Sequence, residues 1–101
     1  MPMKIVYLPQ TRADLRWMKD YYSRIFPEGA RQARMRFKTA AQLLEDNPEI
    51  GRLGPIAGTW EFVIAKTPFI IFYRIQMNRI EILRIWDGRA LRSNEASDSA
   101  V

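Results

Sequence analysis

The sequence contains no cysteine and no histidine. Their absence excludes disulfides, thiolate nucleophiles, cysteine–histidine zinc sites and Ser-His-Asp triads. A general acid or base would have to be an aspartate, a glutamate, a lysine, a tyrosine or an unusual arginine. Most side-chain catalysis is therefore excluded, and the sequence predicts no catalytic residue, no metal site and no cofactor.

Long hydrophobic runs are also absent. The longest one, residues 69–73, is far too short to span a bilayer. The opening Met1-Pro2-Met3-Lys4 leads directly into a strand-like run and does not have the form of a signal peptide. We therefore expect a cytoplasmic protein that makes no contact with a membrane.

Basic residues outnumber acidic ones. The chain has 16 lysines and arginines against 11 aspartates and glutamates, which gives a formal net charge of +5. Because residues 93–101 hold two of the acids and no base, residues 1–92 carry +7. A small basic body favours a polyanionic partner, either a nucleic acid or an acidic protein segment. A charge that serves only solubility is an equally good interpretation.

Two helices are predicted in the first half of the chain. The first begins with Thr11-Arg12-Ala13-Asp14, which has the form of a capping box, and it ends at Pro27-Glu28-Gly29. Its apolar face follows helical spacing through Leu15, Met18, Tyr22 and Ile25. The second helix ends at Asn47-Pro48. Its apolar stripe is rich in small residues and comprises Ala30, Ala33, Phe37, Ala40, Ala41 and Leu44. The short connection predicts an antiparallel helical hairpin.

Strand-like runs lie on both sides of this hairpin. Residues 4–8 are β-branched and aromatic and predict a first strand. A glycine-rich loop is predicted at residues 49–59, followed by three strands in antiparallel hairpins at residues 60–66, 69–76 and 79–86. The order is β-α-α-β-β-β, an α+β domain whose helical hairpin packs on a small, largely antiparallel sheet.

At 101 residues, the chain is long enough for one domain. We expect that domain to span residues 1–92. Residues 93–101 are small and polar and are expected to form a disordered tail.

Both faces of the predicted sheet are hydrophobic. One strand places Phe69, Ile71, Tyr73 and Ile75 opposite Ile70, Phe72, Arg74 and Gln76. The last strand places Ile80, Ile82, Arg84 and Trp86 opposite Glu81, Leu83 and Ile85. Two helices can cover only one face, and a large exposed apolar patch marks an interaction site. We predict a partner polypeptide on the uncovered face, with carboxylates that pair with Arg74 and Arg84. Alternatively, sheet twist and the loop at residues 49–59 bury both faces.

Five short segments follow one another in a characteristic order. They are Ala13-Asp14-Leu15, Asn47-Pro48-Glu49-Ile50-Gly51-Arg52, Gly58-Thr59-Trp60-Glu61, Pro68-Phe69-Ile70-Ile71-Phe72-Tyr73-Arg74-Ile75 and Ile82-Leu83-Arg84-Ile85-Trp86-Asp87-Gly88-Arg89. In this order and spacing, over about residues 3–89, the chain resembles the ParE/RelE superfamily of bacterial toxin–antitoxin toxins. Within it the resemblance leans toward ParE, the plasmid-stabilisation branch.

The resemblance implies a cytoplasmic toxin that a small ParD-like antitoxin wraps and neutralises. The complex would repress its own operon through the antitoxin, so the toxin would contact DNA only indirectly. ParE-type toxins are understood to inhibit DNA gyrase by binding it. On this basis the residues expected to bind the antitoxin are Trp17, Tyr21, Trp60, Phe72, Arg74, Arg84 and Trp86. Those expected to meet the target are Arg84, Asp87 and Arg89.

A ribosome-dependent RNase of RelE type is the enzymatic alternative. Cleavage through the 2′-hydroxyl needs an acid, a base and cations around the phosphate. The groups available are Glu61, Lys66, Tyr73, Arg74, Arg84 and Arg89. Against this alternative, Trp60 stands where family members often have arginine, no tyrosine or histidine follows the last strand, and Asp87 would repel a phosphate. A third possibility is a binding module that has lost its toxicity.

Overall fold

The computed structural model describes residues 2–89, in which two helices pack on one face of a five-stranded sheet. The elements are β1 (Lys4–Tyr7), α1 (Thr11–Asp20), α2 (Ala30–Asp46), β2 (Arg52–Leu53), β3 (Thr59–Val63), β4 (Phe69–Gln76) and β5 (Arg79–Asp87). The tail predicted at residues 93–101, together with residue 1 and residues 90–92 of the predicted domain, lies outside the described residues.

The strands lie in the order β1-β5-β4-β3-β2. Neighbours from β2 to β5 are antiparallel, and β1 joins the edge of β5 in parallel. The chain leaves β1, crosses the sheet through α1 and α2, and returns at the opposite edge. The predicted α+β class, the helical pair and the largely antiparallel sheet are thus confirmed.

β2 is an addition to the predicted order, within the predicted loop. Its two residues pair with the start of β3, Arg52 with Glu61 and Leu53 with Trp60. Gly51 allows this approach, because a Cβ there would lie 2.5 Å from the carbonyl oxygen of Glu61. The buried hydroxyl of Tyr73 also fixes the loop: it accepts a hydrogen bond from the Gly51 amide (3.2 Å) and donates one to the Pro48 carbonyl (2.7 Å).

The connection between the helices is more structured than a single break. After Asp20 the chain forms a π-helical turn (Tyr21–Ile25) and then a short 3₁₀ turn (Pro27–Gly29) before α2 begins. The predicted capping box is wrong. The Thr11 hydroxyl donates to the Leu8 carbonyl at 2.7 Å, and the Asp14 carboxylate binds Arg84. A charged guanidinium is a stronger partner for a carboxylate than a neutral backbone amide.

The core lies between the helices and one face of the sheet, which we call the helical face. From the helices it contains Tyr22, Ala40 and Leu44, and from the central strands Phe69, Ile71, Tyr73, Ile80, Ile82 and Ile85. The opposite side of the sheet is called the open face. Within residues 2–89, no helix packs on the open face. The side chains of the strands therefore determine what the open face presents to solvent.

A β-bulge in β5 corrects the predicted assignment of its side chains. Phe72 pairs with Arg84 but Tyr73 pairs with Ile82, so Leu83 is an extra residue on β5. The bulge reverses the alternation, because one unpaired residue shifts all later side chains to the other face. Ile82 and Ile85 therefore both lie buried on the helical face, whereas the prediction had separated them.

Candidate partner-binding surfaces

The centre of the open face is formed by two aromatic rings. Phe72 of β4 and Trp86 of β5 stack with centroids 4.9 Å apart and an interplanar angle of 17°. Phe72 is only 4% exposed. Gly54 packs against it, since a Cβ at that position would lie 3.1 Å from the Phe72 ring. The loop before β3 thus covers part of the open face, as the alternative interpretation of the sequence proposed.

The charges on the open face are matched within the chain. Glu81 is 3% exposed and accepts hydrogen bonds from Arg74 (Nε, 2.6 Å) and Arg79 (Nε, 2.9 Å). These side-chain hydrogen bonds, from Arg74 first and then Arg79, hold the pKa of Glu81 below its ordinary value. At the edge of the sheet, Arg52 pairs with Glu61 at 2.9 Å. Arg74, expected to meet a partner's carboxylate, therefore already has a partner in β5.

We expect Glu81→Gln to flatten the acid dependence of stability. A lowered pKa in the folded state contributes stability above about pH 4.5, the ordinary value for glutamate, and this contribution is lost as the pH falls through the folded-state pKa. The difference in unfolding free energy between wild type and variant should therefore shrink from pH 6 to pH 3, as measured by urea denaturation. Glu28→Gln, at an exposed position, is the control, and an equal difference at both pH values would contradict the expectation.

Arg84 is held by α1. Its Nε and Nη2 donate to the two carboxylate oxygens of Asp14 at 2.8 and 2.9 Å, and the Ile85 amide donates to the same carboxylate at 3.0 Å. Burial raises the pKa of Asp14, but the Arg84 hydrogen bond and charge and the Ile85 amide outweigh it, so the net pKa is lowered. The Arg84 guanidinium also lies 5.6 Å from the Trp86 ring centroid.

The end of β5 forms a second cluster with α1. Arg89 donates to Asp87 through Nε (3.2 Å) and Nη2 (3.0 Å), and its guanidinium lies 5.3 Å from the Tyr21 ring centroid. Tyr21 in turn stacks on Trp17 with centroids 5.7 Å apart. The structure thus joins two groups that the sequence analysis had assigned to different partners, Trp17 with Tyr21 and Asp87 with Arg89.

Trp60 lies apart from these residues. It pairs with Tyr73 across β3 and β4, and their rings stack with centroids 6.4 Å apart on the helical face. The seven residues predicted to bind the antitoxin therefore occupy three places: the end of α1 with the turn after it, the open face and the helical face.

A groove between α1 and α2 was not predicted from the sequence. It has a volume of about 350 Å³. Its lining is mostly apolar and consists of Leu15, Met18, Lys19, Tyr22, Ser23, Ala30, Ala33, Arg34 and Phe37. Of the small residues on the apolar stripe of α2, Ala30 and Ala33 line this groove, whereas Ala40 is buried in the core. The sequence places these alanines on one face of α2 but does not show that two of them line a groove.

Both helices carry exposed cations, two of which, Lys19 and Arg34, line the helix–helix groove. On α1 they are Arg12, Arg16 and Lys19, and on α2 they are Arg31, Arg34 and Lys38. None of the six makes an ion pair within the part of the chain that the structure describes, whereas Arg52, Arg74, Arg79, Arg84 and Arg89 all do. Among residues 2–89, most of the arginines on the sheet are therefore paired, whereas these six cations on the helices are not.

Residues 2–89 contain neither a membrane-spanning helix nor a cluster of metal ligands. None of the helices there combines the length and apolar character needed to cross a bilayer. Nor does that part of the chain bring together three or more carboxylates in a group that could hold a metal ion.

Comparison with known proteins gives concordant matches. The sequence model of one family, described as "ParE toxin of type II toxin-antitoxin system, parDE", matches residues 5–92. The chain is 32% identical over 82 residues to "Toxin RelE2" of Caulobacter vibrioides, covering 81% of this chain and 91% of that protein. It is 38% identical over 65 residues to "Putative toxin Y4kP" of Sinorhizobium fredii, covering 64% and 67%. A solved structure titled "Chromosomal ParDE TA system from P. aeruginosa" superposes with a TM-score of 0.68 at 28% identity, covering 82% of this chain and 92% of that one.

Proposed function

The chain belongs to the ParE family of toxins from type II toxin–antitoxin systems, and on that premise we propose that a ParD-like antitoxin neutralises it and that it inhibits DNA gyrase by protein binding. The observation that carries the proposal is the helix–helix groove, whose lining is mostly apolar and includes the exposed cations Lys19 and Arg34. Such a surface suits a polypeptide segment better than a small substrate.

The groove has the form that an amphipathic helix requires. A partner helix would place aliphatic side chains against Leu15, Met18 and Phe37, as in other helix-in-groove complexes. Acidic residues on its flanks would then lie near the cations of α1 and α2. Charge complementarity of this kind speeds association and fixes orientation. We therefore place the acidic partner, which the net charge of the chain favours, on the groove between α1 and α2.

The open face is the proposed second contact of the antitoxin. Trp86 is half-buried and Val63 is half exposed there, so an extended segment leaving the groove would find apolar surface beside Arg74 and Arg84. Because both arginines are already paired, we assign their contribution to packing and orientation rather than to new ion pairs.

For the target, we propose the cluster at the end of β5. Arg84 and Asp87 belong to the last four residues of β5 and Arg89 follows two positions after it, and the side chains of Arg84 and Arg89 are 44% and 59% exposed. Arginines that are fixed in position and still accessible are common at the energetic centres of protein interfaces.

The side-chain environment supports binding over RNA cleavage. The hydroxyl of Tyr73 is buried between Pro48 and Gly51, which leaves it no access to a substrate. Arg84 and Arg89 are held by carboxylates that would oppose an approaching phosphate. A RelE-type nuclease would need these groups free around the scissile bond.

Two measurements test the function. Expression in a reporter strain is expected to induce the DNA-damage response, and the purified protein is expected to inhibit supercoiling by purified gyrase. Co-expression of the antitoxin from the neighbouring reading frame should abolish the DNA-damage response. Addition of the purified antitoxin should restore supercoiling by gyrase. Cleaved transcripts with stalled translation, and no DNA damage, would instead support the RelE-type nuclease. Tight antitoxin binding without any growth defect would identify a binding module that has lost its toxicity.

A further inference from the structure

Of the two exposed arginines near the end of β5, Arg84 is held by α1 and Arg89 by the π-helical turn that follows α1. Asp14 and Arg84 are 70 positions apart in sequence and form a two-point hydrogen-bonded pair. Tyr21 follows Asp14 by seven positions, and its ring centroid lies 5.3 Å from the Arg89 guanidinium. Neither contact follows from local sequence, and both act on residues assigned above to the target.

The Tyr21 ring is itself fixed by its neighbours. Trp17 stacks on it, and its ring meets those of Tyr22 and Phe69 edge to face at 5.0 and 6.0 Å. Arg89 is bound by Asp87 through two nitrogens and by the Tyr21 ring through a cation–π contact. An arginine free in solution samples many rotamers, and ordering it on binding costs affinity. Here that ordering has taken place before any partner arrives.

We propose that Tyr21 is a positioning residue for target recognition: it holds the Arg89 guanidinium in the orientation that the target binds. Asp14 does the same for Arg84. The inference rests on the proposed function, because it assumes that the end of β5 meets the target. It assigns a role in toxicity to α1, whose other side lines the helix–helix groove. The partner group that fits is a carboxylate or a carbonyl, since Arg89 keeps exposed N–H donors beyond its pair with Asp87.

A double-mutant cycle tests the proposal. The variants are Tyr21→Leu, which keeps apolar bulk but removes the π face, Arg89→Gln, and the two combined. Tyr21→Leu is expected to raise the toxin concentration needed for half-inhibition of gyrase by about threefold to fivefold, the effect of losing an exposed cation–π contact. Tyr21→Phe retains that contact and should stay within about twofold of wild type. In the Arg89→Gln background, Tyr21→Leu should have no further effect, because its influence passes through Arg89.

The outcomes separate a positioning role from a structural one. Additive losses in the cycle, or an equal loss with Tyr21→Phe, would overturn the proposal. Urea denaturation of each variant identifies losses caused by unfolding. The same double-mutant cycle is also measured in cells, with growth arrest as the readout and with all variants present at matched protein levels. Arrest without inhibition of gyrase would overturn the gyrase target while the growth cycle still decides the role of Tyr21. A wild-type chain with no toxicity would overturn both.

Discussion

Replacing Ala33 with tryptophan is expected to abolish neutralisation by the antitoxin while leaving toxicity in place. Ala33 is half-buried and lines the helix–helix groove from α2. A tryptophan there would occupy much of the volume of about 350 Å³ that we assign to the partner helix. Losing the central anchors of an interface weakens binding by at least about 100-fold. Isothermal titration calorimetry with the purified antitoxin would measure the change in affinity, and growth on co-expression would measure the loss of rescue.

The matched control for this substitution is Ala65→Trp. Ala65 is exposed in the connection between β3 and β4, outside the groove, so the same change in size and hydrophobicity should leave antitoxin binding unaltered. The unfolding curves of both variants should remain close to that of wild type, because neither side chain has to enter the core. Full rescue of Ala33→Trp by the antitoxin would place the partner helix elsewhere.

The second large effect concerns the bulge in β5. We expect Ile82→Ala and Ile85→Ala to destabilise the fold by about 2–5 kcal/mol each, the usual cost of removing a buried isoleucine side chain from a core. Both residues are buried on the helical face only because Leu83 is an extra residue between them. The measurement is the urea midpoint at constant slope.

Leu83→Ala is the comparison within the same strand. Leu83 is only partly buried, and we expect its truncation to cost about 1 kcal/mol. A regular strand would give the opposite pattern, in which either Ile82 or Ile85 faces away from the helices. A small effect of Ile85→Ala beside a large one of Leu83→Ala would show that β5 is not bulged in solution.

The order of elements could be predicted because its signals are local. Prolines at positions 27 and 48 stop the helices, and short polar connections can only join antiparallel strands. The bulge in β5 could not be predicted in this way, since strict alternation gives no sign of one extra residue. β2 was missed for a related reason: two residues carry no periodicity, and their pairing depends on the space that Gly51 leaves beside Glu61.

The binding surfaces were predicted less well, because they depend on contacts between distant residues. Arg74 and Arg84 looked available for a partner, but the sequence does not reveal that Glu81 and Asp14 lie within hydrogen-bond distance of them. Once these pairs are known, the arginines of β4 and β5 are no longer candidates for free positive charge, and the exposed cations of α1 and α2 become the stronger ones. The alanines of α2 were correctly identified as one stripe, but the sequence does not show that Ala40 packs into the core while Ala30 and Ala33 line the groove.

The parallel pairing of β1 with β5 has a consequence for synthesis. In the part of the chain that the structure describes, the first strand finds its neighbouring strand only in the last one. During translation, β1 and the helices that follow it must wait until β5 has left the ribosome before the sheet can close. A truncated translation product that ends before β5 would leave β1 without a neighbouring strand and would lack Arg84, Asp87 and Arg89. Incomplete synthesis is therefore expected to yield a chain that neither closes the sheet nor carries the residues proposed to meet the target.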